Sequence, residues 1–382
     1  MRCFAKCSRV GEERKISSEI ITKKQLIAIT TAFLMGSSLV LGVGGTAKKD
    51  AWIAVALAMM ITVPVYFIYG RIISLFPAQG LYEIITTVFG NIAGSIIVLL
   101  FAGFSFHIGA LVIRNFTEFI KIVTFHDTPQ YVVGYCITVL SIWAAKSGIE
   151  VIGRWTAVML PIMLSAIAVV TFLFIPIVDL QNIKPILYNG VKPVLNTAFS
   201  TFSFPFGETI VLLFMFGSLK KGNSPYKVLL WSLLIGGGSL LLVTVRSLLA
   251  LGEANTSILY FASYASVRLI NIGDFLERIE ISVAIIFVLS GFVKVSICLL
   301  AACKGVAKVL NFPQYRQIVA PIGLVMLMIS IIAFSNSTEM FEWAEKYFRY
   351  YAVPYEVIFP LIIWIGAEIK ARKLGNSVKA KV

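Results

Sequence analysis

The residues with the most chemistry to offer are the run Phe202-Ser203-Phe204-Pro205-Phe206-Gly207-Glu208. It lies inside a long apolar stretch, Phe199 to Leu219, of the kind that crosses a membrane. Pro205 removes a backbone donor and clashes with the preceding turn. Gly207 adds backbone freedom. Glu208 is the one acidic residue the sequence places well inside a span, and a carboxylate at that depth needs a cavity or a partner. Together they predict a helix broken near the bilayer midplane, which is tolerated where protein buries it or where it lines a wet cavity. A half-helix N-terminus there offers free N–H groups to a carboxylate, and a C-terminus offers carbonyls to an ammonium. Phe202, Phe204 and Phe206 would close such a pocket around a small side chain. The plainer alternative is a proline-kinked helix with packed aromatics and a structurally held Glu208.

The elements that must position these groups are themselves membrane spans. The chain has 382 residues, 58% hydrophobic and only 14% charged, whereas soluble domains carry about 25% charged residues. About 20 apolar residues suffice for one crossing helix, and ten runs qualify: Gln25–Gly45, Ala51–Tyr69, Ile92–Ile113, Tyr131–Ala145, Trp155–Val178, Phe199–Leu219, Val228–Leu251, Leu276–Cys303, Ile318–Phe334 and Pro354–Ala367. They are called spans 1 to 10 below. Leu81 to Phe89 reads as a short interfacial helix and Arg114 to Pro129 as an amphipathic surface segment. The organisation is then a basic arm (1–24), a first five-helix repeat (25–178), an external connector (179–198), a second repeat (199–369) and a basic tail (370–382).

The net charge of +14 is unevenly spread. With ten spans, the side holding both termini carries more than twice the lysines and arginines of the other. The positive-inside rule places both termini in the cytoplasm. Basic loops against an anionic leaflet account for much of the charge, and no compact basic domain exists to bind nucleic acid. The five cysteines form no disulfide framework, and Cys3 and Cys7 lack partners for a zinc site. With two histidines, no phosphate loop and no nucleophile paired to a base, the sequence points to no enzyme, no catalytic residue, no metal and no cofactor.

Transporters built from inverted repeats interrupt corresponding helices of the two halves. Span 6 opens the second half, so span 1 should be broken too. Its Gly36-Ser37-Ser38 lies near mid-run and permits unwinding. Other polar groups sit within spans. Lys294 shares a face of span 8 with Ser282, Ser290 and Cys298 at steps of four. Its ammonium could occupy a sodium-like position beside span 1, snorkel to the cytoplasmic interface, or pair with Glu208; Ser290 would join the first arrangement. His107 in span 3 is either a proton-sensitive group or a histidine bonded between helices. Arg246, Glu277, Arg278 and Glu280 read as interface anchors or ion pairs.

Four features carry a family resemblance: Phe204-Pro205-Phe206-Gly207-Glu208; the Lys-rich arm before a first span starting at Gln25; Phe76-Pro77-Ala78-Gln79 followed by Leu81; and the ten-span layout. From about Ile16 to Lys370 the chain resembles the endospore germination permeases, the GerAB-type B subunits of spore germinant receptors. That family is related to the amino acid–polyamine–organocation transporters with the LeuT-like fold. The resemblance implies an all-α membrane protein with a 5+5 inverted repeat and broken helices 1 and 6. It implies a protein of the spore inner membrane that senses a small germinant, often an amino acid. Its partners would be a larger A subunit and a C-subunit lipoprotein. Carried onto this chain, the site would comprise Gly36, Ser37 and Ser38 with Phe202 to Glu208. An active amino acid transporter is the competing expectation. The arm Met1 to Lys15 is longer than the family pattern calls for.

Overall fold

The computed structural model describes residues 19–42, 45–124, 127–220, 222–269 and 279–379. Most of the basic arm, with Cys3 and Cys7, lies outside them, as do His126, Glu277 and Arg278. Among the described residues, eight helices are long and apolar enough to cross a membrane, and nine if Val319–Ile332 and Ser337–Lys346, bent by 100°, count as one span. The expected ten is thus not reached by this measure. The missing member is span 4, the helix Gln130–Ser147 of 18 residues. It does form a helix, and Tyr131, Val139, Leu140 and Trp143 on it face outward.

Burial sorts the helices into an inner and an outer set. The most apolar windows of span 1 (Lys23–Leu41), span 6 (Val191–Ser218) and span 8 (Glu280–Val309) are 78%, 83% and 72% buried. Those of span 5 (Ile149–Ile177) and span 10 (Phe348–Lys373) are each 28% buried. In a bilayer the outer helices can leave apolar side chains exposed, because lipid solvates them as well as protein does. The three inner helices carry most of the polar residues singled out above, where protein rather than lipid meets them; His107 and Arg246 lie on spans 3 and 7. Span 8 lies along span 3, and span 1 packs against spans 5, 7 and 8. Span 2 (Ala47–Leu75) touches spans 6, 7 and 10.

Several boundaries differ from expectation, each for a physical reason. Span 3 runs as one helix from Asn91 to Val123, taking in the stretch expected to lie on the surface. Its Arg114 and Glu118 are buried and pair at 2.8 Å. Arg114 also donates to the Ile331 carbonyl, and Ser337 donates to Glu118. Paired charges can stay inside a bundle, so the charge pattern alone does not end the helix. Span 6 starts earlier, at Val191, and absorbs part of the connector. The interfacial helix Leu81–Phe89 forms as expected. Arg246 does not anchor at an interface: it is buried, donates to Ser263 at 3.1 Å and lies 4.8 Å from the centre of the Phe174 ring.

Candidate functional site: two broken helices around a cavity

Both expected breaks are present. In span 1 the helix Lys23–Met35 stops at Gly36, whose backbone angles are far from helical (φ 8°, ψ −121°), and a new turn runs Ser38–Leu41. The freed Gly36 carbonyl accepts a hydrogen bond from Ser290 of span 8 at 3.1 Å. Ser38 donates back to the Leu34 carbonyl at 2.6 Å. Side chains thus replace part of what the interrupted helix loses, as the low dielectric requires. Gly36 is needed here on space. A Cβ on it would stand 2.7 Å from Lys294 Cδ and 2.8 Å from the Phe33 carbonyl oxygen.

In span 6 the helix Val191–Thr201 opens into a wide turn, Phe202–Phe206, in which Phe204 is extended (φ −128°, ψ 112°) and the Phe204–Pro205 peptide is cis. A tighter helix, Gly207–Ser218, follows. Two tyrosines of span 2 reach the opened backbone. Tyr66 points its hydroxyl at the Phe206 carbonyl (3.5 Å) and Tyr69 at that of Gly207 (3.4 Å).

Lys294 crosses from span 8 into the gap between the breaks. Its ammonium lies 2.5 Å from Glu208 Oε2 and 4.9 Å from the centres of both the Phe33 and Phe204 rings. Lys294 is fully buried, so of the three arrangements open to it, snorkelling is excluded and pairing with Glu208 is what occurs. The face it shares with Ser290 is the one that meets Gly36, so this cation stands beside the span 1 break as well.

Next to the pair is a cavity of about 460 Å³. Glu208 and Phe204 form its floor with Ser38 of span 1. Polar groups along its sides are Asn115 of span 3, Thr201 of span 6 and Ser247 of span 7. Aromatic groups come from Tyr260, Phe341, Trp343 and Phe348. Lys48, at the start of span 2, and Glu345, on the helix Ser337–Lys346, add charges to the lining. On the opposite face of the bundle the chain is tied shut. Ile21 and Leu219 form a parallel β-bridge, with Ile21 donating to the Ser218 carbonyl and Lys220 to that of Ile21. Glu19 pairs with Lys304 at 2.8 Å and accepts from Tyr315 at 3.0 Å. Burial, with the Glu19 carboxylate beside it, pushes the Tyr315 phenol well above its usual range.

Of the expected site residues, Ser38, Phe204 and Glu208 line the cavity. Gly36, Ser290 and Lys294 gather behind Glu208 at the span 1 break. Ser37 and Ser203 are buried with hydroxyls that have no hydrogen-bond partner among the described residues. Phe202, Pro205, Phe206 and Gly207 are buried away from the cavity. His107 is half-buried, edge-on to Trp343 (5.4 Å) and Tyr351 (5.1 Å), outside the cavity lining.

Sequence reading missed part of the site. Small polar residues at helical spacing were the available signal: Thr197, Ser200 and Thr201 on span 6, and Thr244 and Ser247 on span 7, all line the cavity. It also missed Glu356. With span 10 begun at Pro354, Glu356 falls at an interface. The helix instead starts at Phe348, and Glu356 sits a full two turns inside it, at 0% exposure. Its carboxyl lies against Gly207, where no Cβ would fit. Glu208 is therefore not the only acid deep within a span. Pro354-Tyr355-Glu356, a proline closely followed by an acid as in Pro205 and Glu208, was a usable hint.

A membrane bundle with a small-molecule-sized cavity between two broken inner helices has the architecture of a LeuT-fold transporter, and solved structures agree. The transporter MhsT, in complex with L-phenylalanine, superposes with a TM-score of 0.66 at 10% identity over 92% of this chain and 89% of its own. The nucleobase–cation symporter Mhp1, closed around bromovinylhydantoin, gives 0.56 at 14% identity over 94% and 91%. Within that class the sequence is more particular. Residues 20–338 match the model of the spore permease family, described as spore germination protein, and the chain belongs to that family. Spore germination protein KB of Bacillus subtilis (strain 168) is 29% identical over 361 residues, 94% of this chain and 97% of that protein. Spore germination protein YndE of the same organism is 23% identical over 304 residues, 77% and 82% of the two chains.

Proposed function

We propose that this chain is the permease-like B subunit of a spore germinant receptor. It is a binding protein rather than an enzyme. It takes a small germinant, an amino acid, into the cavity beside the broken helices. Closure of spans 1 and 6 over the ligand is passed to an A subunit and a C-subunit lipoprotein, which trigger germination. The setting is the spore inner membrane with both termini in the cytoplasm.

The observation that carries this reading is the cavity itself. Its volume, about 460 Å³, falls within the range of small-molecule sites. Its wall joins apolar and aromatic surface to a few convergent polar groups, Ser38, Thr201 and Glu208. Family membership supports germination as the process. The amino acid reading draws on the fold shared with MhsT, whose complex holds L-phenylalanine. A ligand shifts the equilibrium between open and closed forms only by as much as its affinity for them differs. The elements that could move between those forms carry part of the lining: Phe204 lies on the irregular segment of span 6, and Glu208 on the helix that follows it.

A second reading, active secondary amino acid transport, draws on the ties at the opposite face. Ile21 to Leu219 and Glu19 to Lys304 are hydrogen bonds and an ion pair, which can open without unfolding a helix. The two readings part in proteoliposomes holding the purified full chain. Saturable binding of an amino acid without accumulation supports the receptor subunit. Saturable uptake by the isolated chain supports the transporter. Failure of all twenty amino acids to bind would overturn the amino acid reading.

A further inference from the structure

Behind the cavity floor, three ionisable side chains share one enclosed space: Glu208, Lys294 and Glu356. None is more than 3% exposed. Lys294 is committed to Glu208 at 2.5 Å. Glu356 has no such partner. Neither of its carboxyl oxygens has a hydrogen-bond partner among the described residues. The Ser203 hydroxyl faces it without closing a bond of good geometry. Tyr69 donates to the Glu356 main-chain carbonyl at 2.6 Å, leaving the side chain unserved.

Among the described residues, the surroundings supply no other compensating charge. Span 2 contributes Tyr66 and Tyr69, both neutral phenols. Its Arg71 is paired with Glu368 at 2.7 Å. Span 6 contributes Ser203 and the acid Glu208, and span 8 contributes Lys294 and the thiol Cys298. Span 3 sets Phe101 and Phe104 against Tyr355, and its His107 against Tyr351. Two carboxylates and one ammonium would leave one uncompensated negative charge out of reach of water. Such a group neutralises rather than stays bare.

We propose that Glu356 is a proton-binding site, whose carboxyl holds a proton while Lys294 is held by Glu208 and releases it when Lys294 is freed. In the release step the carboxyl O–H bond breaks, the proton passes to a water molecule admitted from the cavity as Glu208 parts from Lys294, and the Lys294 ammonium balances the carboxylate that forms. Glu208 joins this site to the cavity, because it also lies on the cavity floor. A cationic group of an occupant that takes over Glu208 frees Lys294 and expels the proton. The proton site stands without any reading of the cavity, whereas its coupling to an occupant rests on the function proposed above.

The test is infrared spectroscopy of the purified full chain in lipid nanodiscs at neutral pH with no germinant added. The proposal expects the C=O stretch of a protonated carboxylic acid, shifted in D₂O. It expects the band to vanish in Glu356→Gln and to persist in Glu368→Gln, which alters the acid near the far end of the same helix. In Glu208→Gln the freed Lys294 should ionise Glu356, so the band should vanish there with Glu356 still in place. No protonated-carboxyl band in the native chain would overturn the proposal. A band unchanged in Glu356→Gln would overturn it equally. A band that survives in Glu208→Gln would overturn the coupling to Lys294. These readings need no germinant, so they stand or fall separately from germinant binding.

Discussion

Removing the Lys294 ammonium should expose how much the two breaks depend on it. In Lys294→Met the Glu208 carboxylate keeps its burial and loses the group 2.5 Å away. The side chains are 0% and 3% exposed, so water replaces the lost partner only in part, from the cavity side. Breaking a buried pair from one side costs about 3–5 kcal/mol. Loss of the cation from the Phe33 and Phe204 rings, each 4.9 Å away, adds on the order of 1 kcal/mol. Lys294→Met/Glu208→Gln removes both charges with side chains of similar size, a change that is often close to neutral in buried pairs. The double variant should therefore be more stable than Lys294→Met alone. The coupling energy from the cycle should be about 2 kcal/mol or more, within the range seen for groups in direct contact. The assay is reversible unfolding of the four purified proteins in mixed detergent, followed by tryptophan fluorescence. Additive effects of the two substitutions, or a Lys294→Met protein as stable as the native one, would refute the claim that this pair holds the breaks.

Three further outcomes follow from named contacts. Gly207→Ala places a methyl group into the Glu356 carboxyl, so spans 6 and 10 must separate; a stability loss of about 1–3 kcal/mol is expected from overpacking, measured by the same unfolding assay. Tyr69→Phe removes the 2.6 Å hydrogen bond to the Glu356 carbonyl, and should cost about 0.5–1.5 kcal/mol in unfolding free energy. Thr201→Trp projects a large ring into the cavity, and should abolish amino acid binding in an equilibrium assay, with the unfolding transition of the same protein checked to show that it is folded.

The sequence was most legible where backbone chemistry is absolute. Pro205 cannot serve an unbroken helix, and the chain does open at Phe202–Phe206. Gly36 was a weaker mark, made useful by the expectation of a matching break, and the helix stops there. Charge was a poorer guide, because a charged residue reads as an end of a span whether or not it has a partner. Arg114 and Glu118 were therefore placed outside a helix that in fact carries them, and Glu356 was placed at an edge. Arg114 and Glu118 pair with each other four residues apart, a spacing equally at home on an exposed helix, while the groups that complete their bonding inside the bundle, the Ile331 carbonyl and Ser337, lie far away in sequence; the Glu356 carboxyl has no hydrogen-bond partner among the described residues. The three phenylalanines show a similar limit. Phe202, Phe204 and Phe206 are equally apolar, yet only Phe204 faces the cavity, because its extended backbone turns it out of the helical register. Lys294 could be assigned only once span 8 was seen against span 1, since its reach allowed three destinations.

The account rests on a small molecule lodging between the broken helices, and photolabelling tests that most directly. The purified full chain is irradiated with an aliphatic amino acid bearing a diazirine, with and without an excess of unlabelled amino acids, and the label is located by mass spectrometry. The account predicts saturable label, displaced by competitor, on the peptides carrying Thr201 to Glu208 and Tyr260 or Trp343 to Phe348, and its loss in Thr201→Trp. Label that no competitor displaces, or that falls on the lipid-facing sides of spans 4 and 5, would contradict it.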